Sequence, residues 1–329
     1  MTFFQTRTDL AIEAREMIQK EDQTGEIPGV KVEMEQKEDL KLKITKVKIM
    51  DNKGAEVMGK PIGTYVTIES PFLKENDMDT HEDFIRIVGK ELIRLKELSE
   101  EDVILVVGLG NWNVTPDALG PKVVSQLVVT RHLMEYMPEQ IDESLRSVSA
   151  ISPGVLGITG IETGEIIQGI VDKIAPDVVI AIDALAARKA SRVNTAIQMS
   201  DTGVHPGSGV GNKRMGLNKE TLGVPVIAVG VPTVIDAATL VNDTMDQLLD
   251  TMKAEAMKEG PFYEMLQNVN KEEKYQLIRE ILAPYVGNLF VTPKDIDATI
   301  DRLAHLIAQG INMALHPGLD TKDIGRYIN

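Results

Sequence analysis

Short apolar runs alternate with helical patterns through the middle of the chain. Four of the runs have the length of buried strands, and three amphipathic stretches separate them. The runs lie near 103–108, 145–151, 177–183 and 224–230, and the helical stretches at 82–98, 121–136 and 160–174. This alternation is typical of βαβ units. The sequence therefore predicts an α/β core at 77–232 with a mainly parallel central sheet.

The two flanks of this core have different patterns. Apolar and polar residues alternate over 40–49, and another strand pattern follows at 65–68, which predicts antiparallel strands in a β-rich flap at 28–72. After Pro232 the patterns are helical, at 233–258, 271–283 and 293–314. We expect this last part, 233–329, to cover the sheet and to form a subunit contact.

Composition and charge exclude several classes of protein. The chain has 329 residues and a formal net charge of -15, which opposes binding to nucleic acid backbones or anionic membranes. It has no cysteine, so thiol catalysis, thiolate metal sites and disulfides are excluded. We find no apolar run as long as the roughly 18 residues of a membrane helix and no signal-peptide pattern, so a cytoplasmic protein is expected.

Four familiar catalytic motifs are absent. Gly108 and Gly110 begin a dinucleotide fingerprint, but Asn113 stands where its third glycine belongs. The glycine-rich segment at 207–214 fails as a phosphate loop because Asn212 and Arg214 replace required residues. No two histidines are spaced as a helical zinc motif requires, and no Gly-x-Ser-x-Gly elbow occurs.

Two aspartates follow apolar runs at the predicted carboxyl edge of the sheet. Asp117 lies in the turn after the run at 103–108, and Asp183 ends the run at 177–183. Two carboxylates about 4 Å apart repel by roughly 4 kcal/mol at an effective dielectric near 20, or about three pKa units, so one would hold a proton near neutral pH. Such a pair can activate water and assist the leaving group. An N-cap or turn role remains an alternative for each residue.

Four segments of the chain resemble the germination proteases of spore-forming bacteria. These segments lie at 108–121, 152–163, 183–188 and 194–214. The resemblance implies a three-layer α/β/α fold, phosphorylase/hydrolase-like and similar to the hydrogenase maturation proteases. It also implies an endopeptidase of the forespore and spore core, made as a zymogen, that degrades small acid-soluble spore proteins during germination. The catalytic dyad would be Asp117 and Asp183, in a homotetramer that requires no cofactor and no metal.

The same resemblance suggests where the zymogen is processed. Family substrates have an acidic residue, a hydrophobic residue and alanine in succession, with glutamate shortly after, and Asp9-Leu10-Ala-Ile-Glu13 is similar to them. Cleavage between Asp9 and Leu10 would release a propeptide at 1–9 and leave a single catalytic domain at 10–329. An amphipathic first helix that begins at a Thr or Asp cap is the alternative.

Several polar residues are candidates for substrate binding. His205 lies in a glycine-rich segment whose amides could bind an anion, and Lys213, Arg214 and Arg188 could neutralise an acidic substrate side chain. Two other functions stay open. A metal-dependent protease of the same fold would use the two aspartates and His205 as ligands, and a non-catalytic nucleoid-binding protein would need a basic face.

Overall fold

The computed structural model describes most of the chain. The described residues are 8–22, 27–75, 77–137, 139, 145–205, 214–255, 260–268, 270–286 and 289–318. They form an α/β fold with one nine-stranded sheet. Among these residues, no helix is long and apolar enough to cross a membrane.

Nine strands form the sheet within the described residues. They are β1 Val30–Lys37, β2 Leu42–Ile49, β3 Gly63–Glu69, β4 Val103–Gly108, β5 Ser147–Ile151, β6 Val178–Ala187, β7 Ala196–Ser200, β8 Val226–Asp236 and β9 Phe290–Val291. Their order is β1-β2-β3-β7-β8-β6-β4-β5, and β9 pairs with β8. The four strand runs predicted in the core are therefore confirmed as β4, β5, β6 and β8, and the alternating segments of the predicted flap as β2 and β3.

The sheet is mixed, and the expectation of a mainly parallel sheet is correct only for its centre. Strands β5, β4, β6 and β8 are parallel to one another, whereas β1, β2, β3, β7 and β9 pair antiparallel. The change of direction occurs at β7. A parallel connection needs a crossover of about a dozen residues or more, and the short link from β6 to β7 leaves room only for a reversal. Through β7 the predicted flap strands continue the central sheet.

Twelve helices accompany the sheet in the described residues. They are α1 Ala11–Asp22, α2 Asn52–Met58, α3 Met78–Leu95, α4 Leu119–Val124, α5 Arg131–Tyr136, α6 Leu156–Thr159, α7 Thr163–Ile174, α8 Lys219–Leu222, α9 Ala237–Glu255, α10 Pro261–Gln267, α11 Lys271–Val286 and α12 Ile296–Leu315. The helix expected at 121–136 is divided into α4 and α5. The reason is tertiary: Val128 donates its N–H to the Asn312 side chain, at 2.9 Å, and Thr130 donates to Val148 of β5, also at 2.9 Å.

Alternate residues of the central strands enter different cores. On β4, Ile104 and Val106 pack in the core that includes residues of α3 and α12, whereas Leu105 and Val107 pack with residues of α7. All four side chains are buried. Helices thus cover both faces of the parallel strands, and the edge where those strands end remains open for a site. A three-layer arrangement over the whole sheet, and the domain boundaries, stay predictions.

Candidate active site

Both predicted acids line one cavity, beyond the carboxyl end of β4 and beside the second half of β6. The strand run expected to end at Asp183 continues to Ala187, because β6 goes on pairing with β8 beyond the end of β4. The cavity has a volume of about 490 Å³. Asp117 reaches it from a short 3-10 turn, Thr115–Asp117, and Asp183 reaches it from within β6. The structure therefore brings together the two residues that the sequence singled out separately.

Asp183 owes its position to the unequal lengths of β4 and β6. The pairing of these strands ends at Gly108 and Ile182, so Asp183 is the first β6 residue beyond β4. It is 7% exposed, and its Oδ1 accepts a 2.9 Å hydrogen bond from the N–H of Ala184. A buried carboxyl group is thus fixed at the strand edge, where ligands of α/β proteins gather.

Asp117 is held by the turn that precedes it. Asn111 donates its backbone N–H to Oδ2 of Asp117 at 2.8 Å. Gly110 has φ of 115°, and a Cβ there would lie 1.9 Å from the carbonyl oxygen of Asp117. The hydroxyl of Thr233 donates to the carbonyl of Pro116 at 2.7 Å and ties the turn to β8. Only glycine at position 110 allows this close approach.

The environment raises the pKa of both acids. For Asp183, burial and the charges of Asp117 and Asp9 raise the pKa well above its usual value, against the lowering effects of the Ala184 N–H and Arg214. For Asp117, burial raises the pKa more than the Asn111 N–H and Arg214 lower it. The site therefore favours the neutral form of at least one carboxyl group, with Asp183 the stronger candidate to hold the proton.

The N-terminal segment lies in the same cavity. Asp9 is one of the lining residues, and its Oδ2 accepts the N–H of Ala186 at 2.9 Å. Its backbone N–H donates to the Ala186 carbonyl at 3.4 Å. Leu10 is fully buried in a small apolar cluster with Ile12 and Leu185. The peptide predicted to be cleaved therefore lies along β6 beside the two acids, and α1 begins immediately after it.

The start of α1 is anchored by its acidic side chains. The Glu13 carboxylate accepts the backbone N–H groups of Arg188, at 2.7 Å, and of Lys189, at 2.9 Å. Arg192 pairs with Glu13 at 3.5 Å and with Glu16 at 2.6 Å. Burial raises the pKa of Glu16, but hydrogen bonds from Arg192 and Lys189 outweigh it and lower that pKa to about 2. Above that pH, α1 is therefore held by charge-assisted hydrogen bonds.

The structure places only some of the predicted substrate-binding residues at the cavity. His205 and Arg214 line the cavity, and the charge of Arg214 lowers the pKa of both Asp117 and Asp183. The Arg188 guanidinium instead faces Asp243 at 3.5 Å, and only its backbone binds Glu13. Lys213 lies outside the described residues.

Metal ligation was the alternative chemistry for this cavity. In the described part of the chain, no three His, Asp or Glu side chains are grouped as metal ligands. The Asp117, Asp183 and His205 set is therefore not assembled in this arrangement, although all three residues line the cavity.

Lys60 and Gln198 are among the lining residues that the sequence analysis did not single out. Lys60 Nζ and Gln198 Nε2 each donate to the Asp9 carbonyl oxygen, both at 3.0 Å. Lys60 follows the left-handed cap Gly59 of α2, and Gln198 is a polar residue within the apolar strand β7. The only sequence signal was that isolated glutamine between Ile197 and Met199, because a buried amide needs a hydrogen-bonding partner.

Comparison with known proteins identifies the family. The model of the germination protease family matches residues 11–262 and 254–328. The chain belongs to the germination protease family. A germination protease of Caldanaerobacter subterraneus subsp. tengcongensis is 54% identical over 323 residues, which is 98% of each chain. That of Clostridium tetani is 52% identical over 98% of this chain and 99% of its own.

Family members from a different genus are also similar over nearly their full length. The germination protease of Bacillus mycoides is 47% identical over an alignment of 361 residues, which covers 98% of this chain and 97% of the relative. The resemblance inferred from four sequence segments is thus confirmed, and the chain is a peptidase of the spore germination type.

Proposed function

We propose that this chain is an endopeptidase that initiates the degradation of small acid-soluble spore proteins during germination and is made as a self-processing zymogen. The observation that carries the proposal is the shared cavity, because Asp117, Asp183 and the Asp9 end of the predicted cleavage site all line it. We further propose that the enzyme acts in the forespore and spore core as a homotetramer. Family membership supports a spore protease and motivates the location and the homotetramer, whereas the acid pair and the self-processing rest on the geometry of the site.

In the proposed mechanism the acid pair carries one proton. The ionised carboxylate takes a proton from water as the water oxygen adds to the peptide carbonyl carbon. The protonated carboxyl group then supplies the proton that the leaving nitrogen needs when the C–N bond breaks. The raised pKa values of Asp183 and Asp117 support this division of roles, and neutral Asp183 is suited to be the acid.

Substrate recognition would use the contacts that the N-terminal segment makes. The backbone of β6 would bind the acidic side chain that precedes the cleaved bond, as the Ala186 N–H binds the Asp9 carboxylate. An apolar pocket beside Leu185 receives the next residue, and the Arg188 and Lys189 amides receive a glutamate three residues further along. A small acid-soluble spore protein with this pattern would occupy the same contacts once the propeptide has left and the new N-terminal segment, with Leu10 and Glu13, has moved out of them.

Amide variants of the two acids test the dyad. Asp117→Asn and Asp183→Asn conserve shape but cannot share a proton, so each should lower cleavage of a small acid-soluble spore protein at least about 10²-fold. Asp250→Asn, an exposed aspartate of α9, is the matched control and should cleave at the wild-type rate. Circular dichroism verifies folding in each case. Full activity in either dyad variant contradicts the proposed mechanism.

Self-processing has its own test. Intact mass and N-terminal sequencing should show a product that begins at Leu10. If the raised pKa of the pair lies between about 6 and 7.5, the product should form faster at the lower pH, because acidification then raises the singly protonated fraction of the pair. Asp9→Lys should slow the cut, since a lysine cannot accept the Ala186 N–H. A different start site, or unchanged processing of Asp9→Lys, identifies the segment as an ordinary helix start.

A metal-dependent peptidase is the second candidate, because His205 lines the cavity with both aspartates. A strong chelator distinguishes the two. Under the proposed dyad mechanism, activity stays nearly unchanged after incubation with EDTA and dialysis. Loss of activity that zinc or another divalent ion restores would assign water activation to a metal.

A further inference from the structure

The carbonyl group of Asp9 is bound by two side chains from distant parts of the chain. Lys60 Nζ and Gln198 Nε2 both donate to its oxygen at 3.0 Å. Gln198 also accepts, through Oε1, the N–H of Ala11 at 2.6 Å. One glutamine therefore binds the chain on both sides of Leu10, and the carbonyl that would be attacked has two donors.

Two donors on one carbonyl oxygen have a known chemical use. When water adds to a carbonyl carbon, the double-bond electrons move onto oxygen, and preorganised donors stabilise the charge that develops there. Removing a single such donor lowers turnover by about 10²–10³-fold in other proteases. The contacts at Asp9 are those that hydrolysis of the bond between Asp9 and Leu10 requires.

We propose that Lys60 and Gln198 form the oxyanion-binding pair of this peptidase. The inference rests on the proposed cleavage between Asp9 and Leu10, and it adds two catalytic residues to the acid dyad. The pair would serve each substrate in the same way, since both donors hydrogen-bond to a backbone carbonyl of the bound segment.

Both donors have rigid supports. Gln198 is 8% exposed, and its strand β7 pairs with β3 at Thr67 and with β8 at Gly230. Lys60 directly follows Gly59, whose left-handed conformation ends α2. Burial lowers the pKa of Lys60, and the carboxylates of Asp9 and Glu13 offset part of this effect. Donors fixed in this manner need little reorganisation as charge develops on the oxygen.

Hydrolysis of the bond between Asp9 and Leu10 needs only water, the acid pair and these two donors. Water forms the new C–O bond, one of its protons passes to the ionised carboxylate, and the carbonyl oxygen becomes negative between Lys60 and Gln198. The tetrahedral centre then collapses, the C–N bond breaks, and the Leu10 nitrogen takes the proton of the neutral carboxyl group. At the end of the reaction, the oxygen between Lys60 and Gln198 is neutral again and belongs to the new carboxyl group of Asp9.

Two variants separate catalysis from simple anchoring. Lys60→Met removes one donor. Gln198→Glu keeps an oxygen that can accept the Ala11 N–H but replaces the donor to the Asp9 carbonyl. Self-processing is intramolecular, so its first-order rate reports turnover without a binding step. We expect each variant to process about 10²-fold or more slowly, with partial recovery in Lys60→Arg and the wild-type rate in Lys53→Met, an exposed lysine of α2.

Two readouts do not depend on turnover. One is the hydrogen-exchange protection of the backbone amides at 10–14, and the other is the NMR resonance of the Asp9 carbonyl carbon. In an Asp117→Asn background, which preserves the intact segment, label the aspartate carbonyls with ¹³C and the leucine amides with ¹⁵N. The sequence contains two Asp-Leu pairs, so the Asp9 carbonyl gives one of two correlations and Asp39-Leu40 provides an internal reference. Loss of a donor should shift the Asp9 carbonyl resonance upfield and leave that of Asp39 in place.

The outcomes distinguish this inference from the proposed function. Slow self-processing of the Lys60 and Gln198 variants, a shifted Asp9 carbonyl resonance and retained exchange protection of the amides at 10–14 support the oxyanion-binding pair. Unchanged rates and an unshifted carbonyl overturn it, and so does a slow rate that appears only with lost protection, because the two residues then merely anchor the segment. If wild-type protein forms no product beginning at Leu10, the proposed processing fails whatever the carbonyl shift reports.

Discussion

Asp183 and Asp117 owe their chemistry to surroundings that solvate a carboxylate poorly. Asp183 is buried and has one backbone donor, whereas Asp117 is only partly buried and accepts from Asn111. The free energy cost of ionising Asp183 in the folded state is therefore larger. The proposed proton transfer needs a carboxyl group of this kind, and its ionisation lowers the stability of the fold.

The Asp183→Asn variant should be more stable than wild type at neutral pH. The folded protein raises the pKa of Asp183 above the unfolded value of about 3.9, so stability is lost as pH rises from that value through the folded pKa. Replacing the carboxylate by a neutral amide should recover roughly 1–3 kcal/mol at pH about 8, and nearly nothing at about 4. Thermal unfolding at both pH values measures the difference.

The exposed control Asp250→Asn should change the unfolding temperature little at either pH. An Asp183→Asn protein that is less stable than wild type at pH about 8 would mean that the ionised form is favoured in the fold, contrary to the burial of this residue.

At the scale of elements, the turn between β4 and α4 decides where Asp117 lies. A Cβ on residue 110 would lie 1.9 Å from the Asp117 carbonyl oxygen, so the turn requires glycine there, and the Asn111 N–H binds the Asp117 side chain. The sequence pattern indicated a turn here, but only the packing of that turn explains why the acid points into the cavity.

Gly110→Ala should displace Asp117. The substitution requires an unfavourable backbone conformation at φ of 115° and a clash with the Asp117 carbonyl, so we expect a loss of about 1–3 kcal/mol in the free energy of unfolding and about 10²-fold in processing rate. Denaturant titration and intact mass give the two values.

Gly169→Ala is the matched control for the turn variant. Gly169 lies within α7, and an added Cβ meets nothing within 4 Å, so alanine should stabilise the helix by about 0.5–1 kcal/mol without affecting processing. Equal activity in both glycine variants would show that the Gly110 turn tolerates a shift without moving Asp117.

At the scale of the whole molecule, an apolar stripe lies on the C-terminal helices. Val241, Met245 and Leu248 recur at helical spacing on α9, and Leu277 and Ile281 do so on α11, which packs against α9. All five side chains are exposed in the single chain. Exposed apolar side chains on two packed helices are suited to a subunit contact, which supports the proposed homotetramer.

Charges placed on this stripe should dissociate the assembly. Sedimentation of the wild type should give about four times the 36.2 kDa chain mass, and the double variant Leu248→Glu, Ile281→Glu should give a lower mass because a carboxylate is costly in an apolar contact. Ile93→Glu, on an exposed position of α3, should leave the mass unchanged. A monomeric wild type would contradict the homotetramer.

The sequence alone determined the features that depend on neighbours along the chain. Apolar periodicity located β4, β5, β6 and β8, and it drew attention to two aspartates at the ends of these runs, both of which line the cavity. Segments around the acids also identified the family, since they carry residue types that the site chemistry needs in a fixed order. In each case the controlling interaction is local.

The tertiary structure decided what depends on residues far apart in the chain. The split of the expected helix into α4 and α5 follows from bonds to Asn312 and Val148, and the antiparallel half of the sheet follows from the pairing of β7 with β3 and β8. Lys60 and Gln198 meet at the Asp9 carbonyl only because α2 and β7 end beside the same cavity. Long-range pairing of this kind depends on packing across the whole fold, which local periodicity does not encode.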